Sequence, residues 1–311
     1  MDQTLSLGAG LRQPHRSPSR SGELQDPLNR FVYHPLSLRL ARLLVPTRLT
    51  PNMVSVAGGL LVVAAGLVYW RFAGPAGALV GMALHMSWHV VDGADGDLAR
   101  LTGRSSPIGE MVDGICDYCS HIVLYLLLGA VLQRSIGVWA WPWTVTAGAA
   151  HIVQANHCET EKRFYLHWAY AVPWMHNVRA RGDGPFAGGS RLALAFRPFL
   201  ELYMRLGAGL SPHAAAIDRA VSAAAGDPLR LARVRAIATP PTRRLLPLLQ
   251  VLGPNPRAIV LGLAMLAGSP LWYFAWQVVV LNALLVGSVT LHNRTARRVE
   301  RELAREGLLP A

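Results

Sequence analysis

Charged residues are scarce in this sequence, and their scarcity disfavours a soluble protein. Only 15% of the 311 residues are charged, 52% are hydrophobic, and the mean hydropathy is +0.28. Soluble domains carry about 25% charged residues, so this composition favours a membrane protein. Cysteine is also scarce. Three cysteines cannot form a disulfide framework, and the CxxC at Cys116 and Cys119 lacks the second ligand pair of a zinc site.

Several long segments contain no charged residue at all. These segments are Met53 to Trp70, Phe72 to Val91, Tyr118 to Gln133, Ser135 to His157 and Ala258 to Asn293. A helix needs about 20 apolar residues to cross a bilayer. The last segment is long enough for two spans if it breaks at Gly268-Ser269-Pro270, and we expect the third span to begin near Pro107. The sequence therefore predicts an all-α polytopic membrane protein with six transmembrane helices.

The distribution of arginine predicts the orientation of these spans. Arginines precede the first span, follow the last span and recur between the fourth and fifth, whereas the opposite loops carry only Arg71 and Arg134. Because positive residues stay cytoplasmic, we expect both termini and the carboxylate-rich site to be cytoplasmic, in a bacterial inner membrane. The net charge of +12 then reflects topology and attraction to anionic headgroups. Nucleic acid is not an expected partner, because the basic residues are dispersed along a membrane chain.

The chain divides into five predicted regions. Residues 1–30 are polar and lack an apolar stretch, which predicts a disordered tail and no signal peptide. Residues 31–157 hold an interfacial helix, with Leu36, Leu40, Leu43 and Leu44 on one face, and the first four spans. Residues 158–250 form a helical cytoplasmic insert, 251–293 hold spans five and six, and 294–311 form a basic cytoplasmic tail.

Carboxylates are concentrated where the second and third spans meet, in the stretch HVVDGADGDLARLTGRSSPIGEMVDGICDYCSH at 89–121. Helical spacing places one set of residues on a single face of the second span: Asp92, Asp95, Gly96, Ala99 and Arg100. It places Gly109, Asp113 and Asp117 on one face of the third span. A short turn joins the two helices, so four aspartates are expected to converge. Asp97 and Glu110 are expected to point away into solvent.

Four ionised carboxylates in a poorly solvated cleft repel one another unless protons or cations lie among them. Oxygen ligands without matching His or Cys favour Mg²⁺ or Mn²⁺ over zinc, and a pair of such ions can clamp a diphosphate. The small residues Gly96, Ala99 and Gly109 clear space for a flat ligand such as a nucleobase, and Arg100 supplies a cation for phosphate. An ion or proton pathway is the distant alternative, but it predicts carboxylates near mid-membrane in two matching halves.

The spacing Asp92-x-x-Asp95-Gly96-x-x-Ala99-Arg100, eight residues, Gly109-x-x-x-Asp113-x-x-x-Asp117 resembles the complete signature of the CDP-alcohol phosphatidyltransferases. The resemblance covers roughly 35–157 and 250–293. It implies that a CDP-linked donor, often CDP-diacylglycerol, passes its phospho-alcohol group to an acceptor hydroxyl and releases CMP, in phospholipid biosynthesis. A soluble CDP-polyol or CDP-amino alcohol donor with a lipid acceptor is the alternative.

The resemblance also implies roles for individual residues. Asp92, Asp95 and Asp113 would ligate two Mg²⁺ or Mn²⁺ ions, and Asp117 would be the base for the acceptor hydroxyl, touching the second metal. The residues expected to line the CDP pocket are Gly96, Ala99, Arg100, Gly109 and, more weakly, Asn52 at the start of the first span. Members of the family are commonly homodimers, so a homodimer is expected here.

The sequence says less about the acceptor. His89 lies one turn before Asp92 and is a candidate for contact with the acceptor hydroxyl, although packing histidines are more common. The end of the fourth span offers further candidates: Gln154, Glu159, Arg163 and Tyr165. This segment is equally well interpreted as an ordinary charged helix end with an aromatic anchor at the membrane interface.

Overall fold

The computed structural model describes residues 22–172 and 191–310, and throughout these ranges the regular secondary structure is helical. After a π-helical turn at Asn29–Tyr33, the helices are α1 His34–Leu44, α2 Pro51–Arg71, α3 Pro75–Leu101, α4 Pro107–Ile136, α5 Ala140–Tyr170, α6 Arg191–Leu210, α7 Ala214–Ala223, α8 Pro228–Arg243, α9 Leu246–Val251, α10 Pro254–Leu266, α11 Leu271–Ala275 and α12 Leu281–Arg305. A 3-10 turn at Gly137–Trp139 joins α4 to α5, and a π-helical turn at Trp276–Val280 joins α11 to α12.

Local signals explain where the two helices nearest the carboxylates begin. Thr50 caps α2 by accepting a hydrogen bond from the Met53 amide, and Pro51 occupies the first turn. Ser106 caps α4 in the same way, accepting from the Gly109 amide at 3.0 Å. These caps place the N-terminal ends of α2 and α4 next to the C-terminal half of α3, where Asp92, Asp95 and Asp97 lie.

Four segments are long and apolar enough to cross a membrane: Pro51–Arg71, Ile108–Tyr170, Leu246–Leu266 and Leu271–Arg305. The second contains two helices, α4 and α5. Helix α3 is not among the four, because its histidines and aspartates lower its hydropathy. The predicted break in the last apolar run is confirmed: α10 ends at Leu266, and α11 begins at Leu271 after Gly268, whose φ is +87°. These apolar helices fit an integral membrane protein.

Of four hydrophobic clusters in the described residues, the two largest are a bundle core and a smaller core. The first joins α2, α3, α4, α5, α10 and α11 through residues that include Val62, Tyr69, Trp88, Leu128, Leu261 and Phe274. The second joins the end of α5 to α7, α8 and the C-terminal half of α12 through Phe164, Trp168, Ile217, Val234, Val299 and Leu303. Part of the predicted basic tail therefore continues α12 and packs against the insert.

The predicted region boundaries can be compared with the helices. Residues 1–21 of the predicted tail lie outside the described residues, and ordered contacts begin before residue 30, because the Asp26 carboxylate accepts from the Leu28 and Asn29 amides. Helix α5 continues past the predicted start of the insert at 158 to Tyr170. On α1, Leu36 and Leu43 are exposed, while Leu40 and Leu44 pack against the buried Ala41, Ala94 and Leu98.

Candidate metal and nucleotide site

Asp92 and Asp95 on α3 meet Asp113 on α4, and we call these three residues the three-aspartate cluster. One carboxylate oxygen from each lies within 4.8 Å of the others. Asp95 is 7% exposed, and the other two are half-buried. Helical spacing predicted that four aspartates converge: these three do, whereas Asp117 is not in the cluster.

The hydrogen bonding of the cluster fits a site for hard divalent cations. The side chains of Asp95 and Asp113 are hydrogen-bonded to each other, which requires a shared proton when no cation separates them. The Oδ1 atom of Asp113 is buried and has no hydrogen-bond partner among the described residues. An unsatisfied carboxylate oxygen beside two more carboxylates is a costly arrangement, and Mg²⁺ or Mn²⁺ would satisfy it because both prefer oxygen ligands.

Helix α2 supplies a contact that the sequence analysis missed. The Ser55 hydroxyl donates a hydrogen bond to Asp95 Oδ2 and fixes the orientation of that carboxylate. Helix α2 lies in contact with α3 and α4 here: a Cβ on Gly58 would lie 3.4 Å from the Trp88 ring, and one on Gly59 would lie 3.4 Å from the Cys116 carbonyl oxygen. Ser55 lies one helical turn after Asn52, which is a nucleotide-site candidate. The two residues therefore share a helix face, and this spacing could have identified Ser55 from the sequence.

Asp117 does not belong to the three-aspartate group and has its own partner. The Trp88 indole Nε1 donates to Asp117 Oδ1 at 3.1 Å, and the Asp117 backbone carbonyl contacts His121 Nδ1 at 2.8 Å. Trp88 was not among the predicted site residues. It lies one turn before Asp92 on the same face of α3, so helical spacing could have identified it. Its effect is to orient the Asp117 carboxylate.

Two of the predicted nucleotide-site residues, Asn52 and Gly109, lie side by side. A Cβ on Gly109 would be 3.6 Å from Asn52 Oδ1 and 3.3 Å from the capping hydroxyl of Ser106. The starts of α2 and α4 therefore face each other next to the three-aspartate cluster. Asn52 is exposed, so its amide is accessible to a ligand. This proximity supports both residues as parts of one pocket.

The second part of the predicted nucleotide pocket is arranged differently from the expectation. The Arg100 guanidinium lies over Gly96, 3.4 Å from where a Cβ would be, and donates to Asp97 Oδ1 at 2.8 Å. The prediction that Asp97 points into solvent is wrong, because this carboxylate is 4% exposed and is paired with Arg100. Glu110 is exposed as predicted, and Ala99 is half-buried. Arg100 keeps 44% of its side chain exposed, so it reaches solvent as well as Asp97.

Residues 48–168 match the family model described as CDP-alcohol phosphatidyltransferase. This segment contains the three-aspartate cluster, Asp117, Ser55 and Trp88. The match ends at residue 168, just before α5 ends at Tyr170, so the insert and the last helices lie outside it.

Two curated proteins are similar to part of this chain. Ethanolaminephosphotransferase 1 of Pongo abelii is 31% identical over 128 residues, which cover 36% of this chain and 32% of the relative. Archaetidylinositol phosphate synthase of Aeropyrum pernix is 35% identical over 80 residues, which cover 24% of this chain and 39% of the relative. The chain therefore spans about a third of the length of the relatives it matches.

His89 is in a buried aromatic cluster of the matched segment. Its ring lies 4.9 Å from the Tyr33 ring and 4.5 Å from Trp88, and it is 8% exposed. Its Nε2 atom is buried and has no hydrogen-bond partner among the described residues. His85, also buried, stacks on Trp88 with the ring centroids 5.9 Å apart. Packing on Trp88 is therefore the observed role of both histidines, and an unsatisfied nitrogen keeps His89 a candidate for ligand contact.

The candidates at the end of α5 do not form one group. Gln154 is fully buried, and its amide donates to Asn282 Oδ1 at 2.7 Å and accepts from Gln277 and Arg257. These contacts join α5 to α10 and α12, so they stabilise the bundle.

The remaining α5 candidates have separate partners. Glu159 and Arg163 pair with each other at 2.5 Å, and Glu110 and Tyr203 lie close enough to Arg163 to interact with its charge. The Tyr165 hydroxyl donates to Glu23 at 2.6 Å, in the segment before α1. Of the four acceptor candidates, Glu159 and Arg163 are the two that face the start of α4.

Helix α6 of the insert packs next to Tyr118, close to the carboxylates of α4. The Tyr203 ring contacts the ring of Tyr118, the residue after Asp117, with centroids 5.9 Å apart. The Asn156 amide on α5 donates to the Tyr203 carbonyl at 2.8 Å and holds α6 in this position. Tyr203 lies outside the matched family segment.

Proposed function

We propose that the protein transfers a phospho-alcohol group from a CDP-linked donor to an acceptor hydroxyl and releases CMP, in phospholipid biosynthesis. The observation that supports this most directly is the three-aspartate cluster within a segment that matches a CDP-alcohol phosphatidyltransferase model. The two relatives carry names with different alcohols, ethanolamine and inositol phosphate. The proposal is therefore limited to the reaction class, with a phosphatidyl group as the expected cargo.

The residues divide into those that hold cations and one that moves a proton. Asp92, Asp95 and Asp113 would hold two Mg²⁺ or Mn²⁺ ions, with Asp117 next to the second. When bound, the ions supply positive charge that neutralises the donor diphosphate and the leaving CMP. Asp117 takes the proton of the acceptor hydroxyl, whose oxygen then forms the new bond to phosphorus as the bond to CMP breaks. Trp88 keeps the Asp117 carboxylate aimed at that hydroxyl.

The nucleotide half of the donor is proposed to lie between the starts of α2 and α4 and the end of α3. Asn52 and Gly109 border one side of this space, and Gly96, Ala99 and Arg100 border the other. Glycine at 96 and 109 lets the ligand approach the helix backbones, as flat ligands require. Arg100 interacts with both Asp97 and the donor phosphate. The pairing with Asp97 holds this exposed arginine in position for the phosphate.

The acceptor is proposed to enter beside α6 and the Glu159–Arg163 pair. The contact of Tyr203 with Tyr118 supports this, because it brings the insert next to the residue that follows the proposed base. His89, with its unsatisfied Nε2, is the second proposed contact for the acceptor. We further propose a homodimer, as is common in the family.

Removal of divalent ions should abolish CMP release from the purified protein. In the described part of the chain no ion pair joins these three carboxylates to a cationic side chain, and Arg100 acts on Asp95 only through its charge, so bound ions are expected to supply the charge for donor binding. CMP is measured after addition of Mg²⁺ or Mn²⁺, or EDTA, with a matrix of CDP-linked donors and alcohol acceptors. Release of CMP that needs both an acceptor and a divalent ion supports the proposal. Equal CMP release in EDTA would contradict it.

Six spans with both termini cytoplasmic are proposed from the arginine distribution, and cysteine labelling tests this orientation. Ser105, between α3 and α4, and Ser135, at the end of α4, are both exposed. In a background without Cys116, Cys119 and Cys158, a membrane-impermeant thiol reagent should label Ser135→Cys in intact cells. It should label Ser105→Cys only after the membrane is opened. External labelling at 105 would contradict the orientation, because CDP-alcohols are cytosolic.

A further inference from the structure

A cavity of about 450 Å³ lies outside the three-aspartate cluster, where the end of α5 meets the end of α8 and the segment before α1. We call it the α5–α8 cavity. Its lining includes Glu23, Tyr165, Tyr170, Thr239, Arg243 and Arg244. Apart from Glu23, these side chains offer two guanidinium groups and three hydroxyls. None of the roles proposed above uses this cavity.

The Glu23 carboxylate is held in the α5–α8 cavity as a bound anion would be. Its Oε1 accepts hydrogen bonds from the Tyr165 and Tyr170 hydroxyls, and its Oε2 pairs with Arg243 Nε at 2.6 Å. Burial alone would raise the pKa of Glu23, but these three partners hold that pKa below its ordinary value. Charge-assisted hydrogen bonds of this kind are the strong ones. The cavity is therefore built to stabilise negative charge.

Two groups that line the cavity, one guanidinium and one hydroxyl, are not among the partners of Glu23. Arg244 makes no ion pair with the described residues. The Thr239 hydroxyl oxygen is buried and likewise lacks a hydrogen-bond partner in that part of the chain. A helical threonine commonly donates its hydroxyl to the carbonyl one turn earlier, as Thr242 does to the Ala238 carbonyl. A carboxylate has two oxygens and occupies only part of the cavity, whereas a phosphate monoester has more acceptor oxygens and a higher charge.

We propose that the α5–α8 cavity binds a phosphate monoester group through Tyr165, Tyr170, Thr239, Arg243 and Arg244, in competition with the Glu23 carboxylate. Arginine recognises phosphate with a planar set of donors, and this set contains two. The group comes either from a soluble phosphate monoester or from the headgroup of an anionic lipid such as phosphatidic acid. The site does not depend on the proposed transferase reaction, because no residue of the three-aspartate cluster lines it.

Titration calorimetry with inorganic phosphate tests this site on the full-length protein in detergent. EDTA is present, so that the three-aspartate cluster carries no cation and repels phosphate. Glu23→Gln removes the competing charge and should tighten phosphate binding about tenfold, the factor expected for a charge-assisted contact. Arg244→Gln should weaken binding by about the same factor, both in the wild-type chain and in the Glu23→Gln chain. Arg244 makes no ion pair with the described residues, so its loss should not affect folding.

Arg233→Gln is the control, because Arg233 is on α8, which ends one residue before Arg244, pairs with Glu306 at 2.7 Å and does not line the cavity. It removes the same charge and should leave phosphate binding unchanged.

Nanodiscs then distinguish the two sources of the phosphate group. Phosphatidic acid in a phosphatidylcholine bilayer suppresses the phosphate signal if the ligand is a lipid headgroup, and leaves the signal unchanged if the ligand is soluble. Absence of phosphate binding to both the wild-type and Glu23→Gln proteins overturns the proposal. Equal losses in Arg233→Gln and Arg244→Gln overturn it as well.

Discussion

Asp113→Asn is expected to abolish Mg²⁺-dependent binding of CDP, whereas Asp117→Asn is expected to keep binding and lose turnover. One carboxylate oxygen of Asp113 lies within 4.8 Å of oxygens of Asp92 and Asp95. The Oδ1 atom of Asp113 is buried and has no hydrogen-bond partner among the described residues. Replacing this carboxylate by an amide removes one of three negative charges from a site for hard cations. Asp117 lies outside that group and accepts from Trp88, so its amide keeps the shape of the site.

The size of the Asp117→Asn defect follows from the chemistry assigned to it. A positioned general base contributes about 10² to 10⁴ in rate, so CMP release should fall by at least about 10². A small residual rate should rise between about pH 6 and pH 9, because solution hydroxide takes over the proton. Calorimetry with Mg²⁺ and CDP measures binding, and CMP release across that pH range measures turnover.

Glu110→Gln is the control for both aspartate variants. Glu110 is on the same helix one turn before Asp113 but is exposed, so binding and turnover should stay near wild type. Normal turnover in Asp117→Asn would show that the base assignment is wrong. Loss of all CDP affinity in that variant would instead make Asp117 chiefly a cation ligand. The proton would then leave through another group, for which His89, with its unsatisfied Nε2, is the first candidate.

The sequence predicted the parts of the site that depend on helical spacing. Asp92 and Asp95 are three residues apart on one helix, and a short turn leads to Asp113, so periodicity alone brings the three side chains together. The same reasoning was wrong for Asp97. Helical position put it on another face, but it is buried and paired with Arg100, since a residue three positions away can fold back over the helix.

Contacts between helices distant in sequence could not be predicted from spacing. Gln154 was an acceptor candidate because of its place at a polar helix end, yet its partner Gln277 is 123 residues away and buries it. Tyr165 was a candidate for the same reason, and its partner Glu23 is 142 residues away. The Ser55 contact to Asp95 also depends on how closely two helices pack, because the two residues are 40 positions apart. Patterns within one helix do not report such partners.

Gly207→Val is expected to lower kcat/KM for the acceptor at least tenfold while CDP binding stays unchanged. Gly207 lies where α6 crosses α5, and an added Cβ would be 2.4 Å from Thr160 Oγ1 and 2.9 Å from Asn156 Oδ1. Both distances are too short for non-bonded atoms, so the Thr160 and Asn156 side chains must turn away or α6 must move away from α5. Asn156 also holds the Tyr203 carbonyl at 2.8 Å, and Tyr203 packs on Tyr118 beside Asp117. Overpacking of this kind costs about 1–3 kcal/mol, which corresponds to about tenfold or more.

Gly209→Val is the matched control for this displacement. It lies on the same helix two residues later, it is exposed, and an added Cβ meets no atom within 4 Å. Both variants therefore carry the same cost of placing a β-branched residue in a helix, and only the first crowds the side chains of α5. Acceptor dependence of CMP release and calorimetry with CDP are measured for both proteins. If Gly207→Val uses the acceptor as well as Gly209→Val does, the insert has no part in acceptor binding, and the acceptor must be held by α3, α4 and α5 alone.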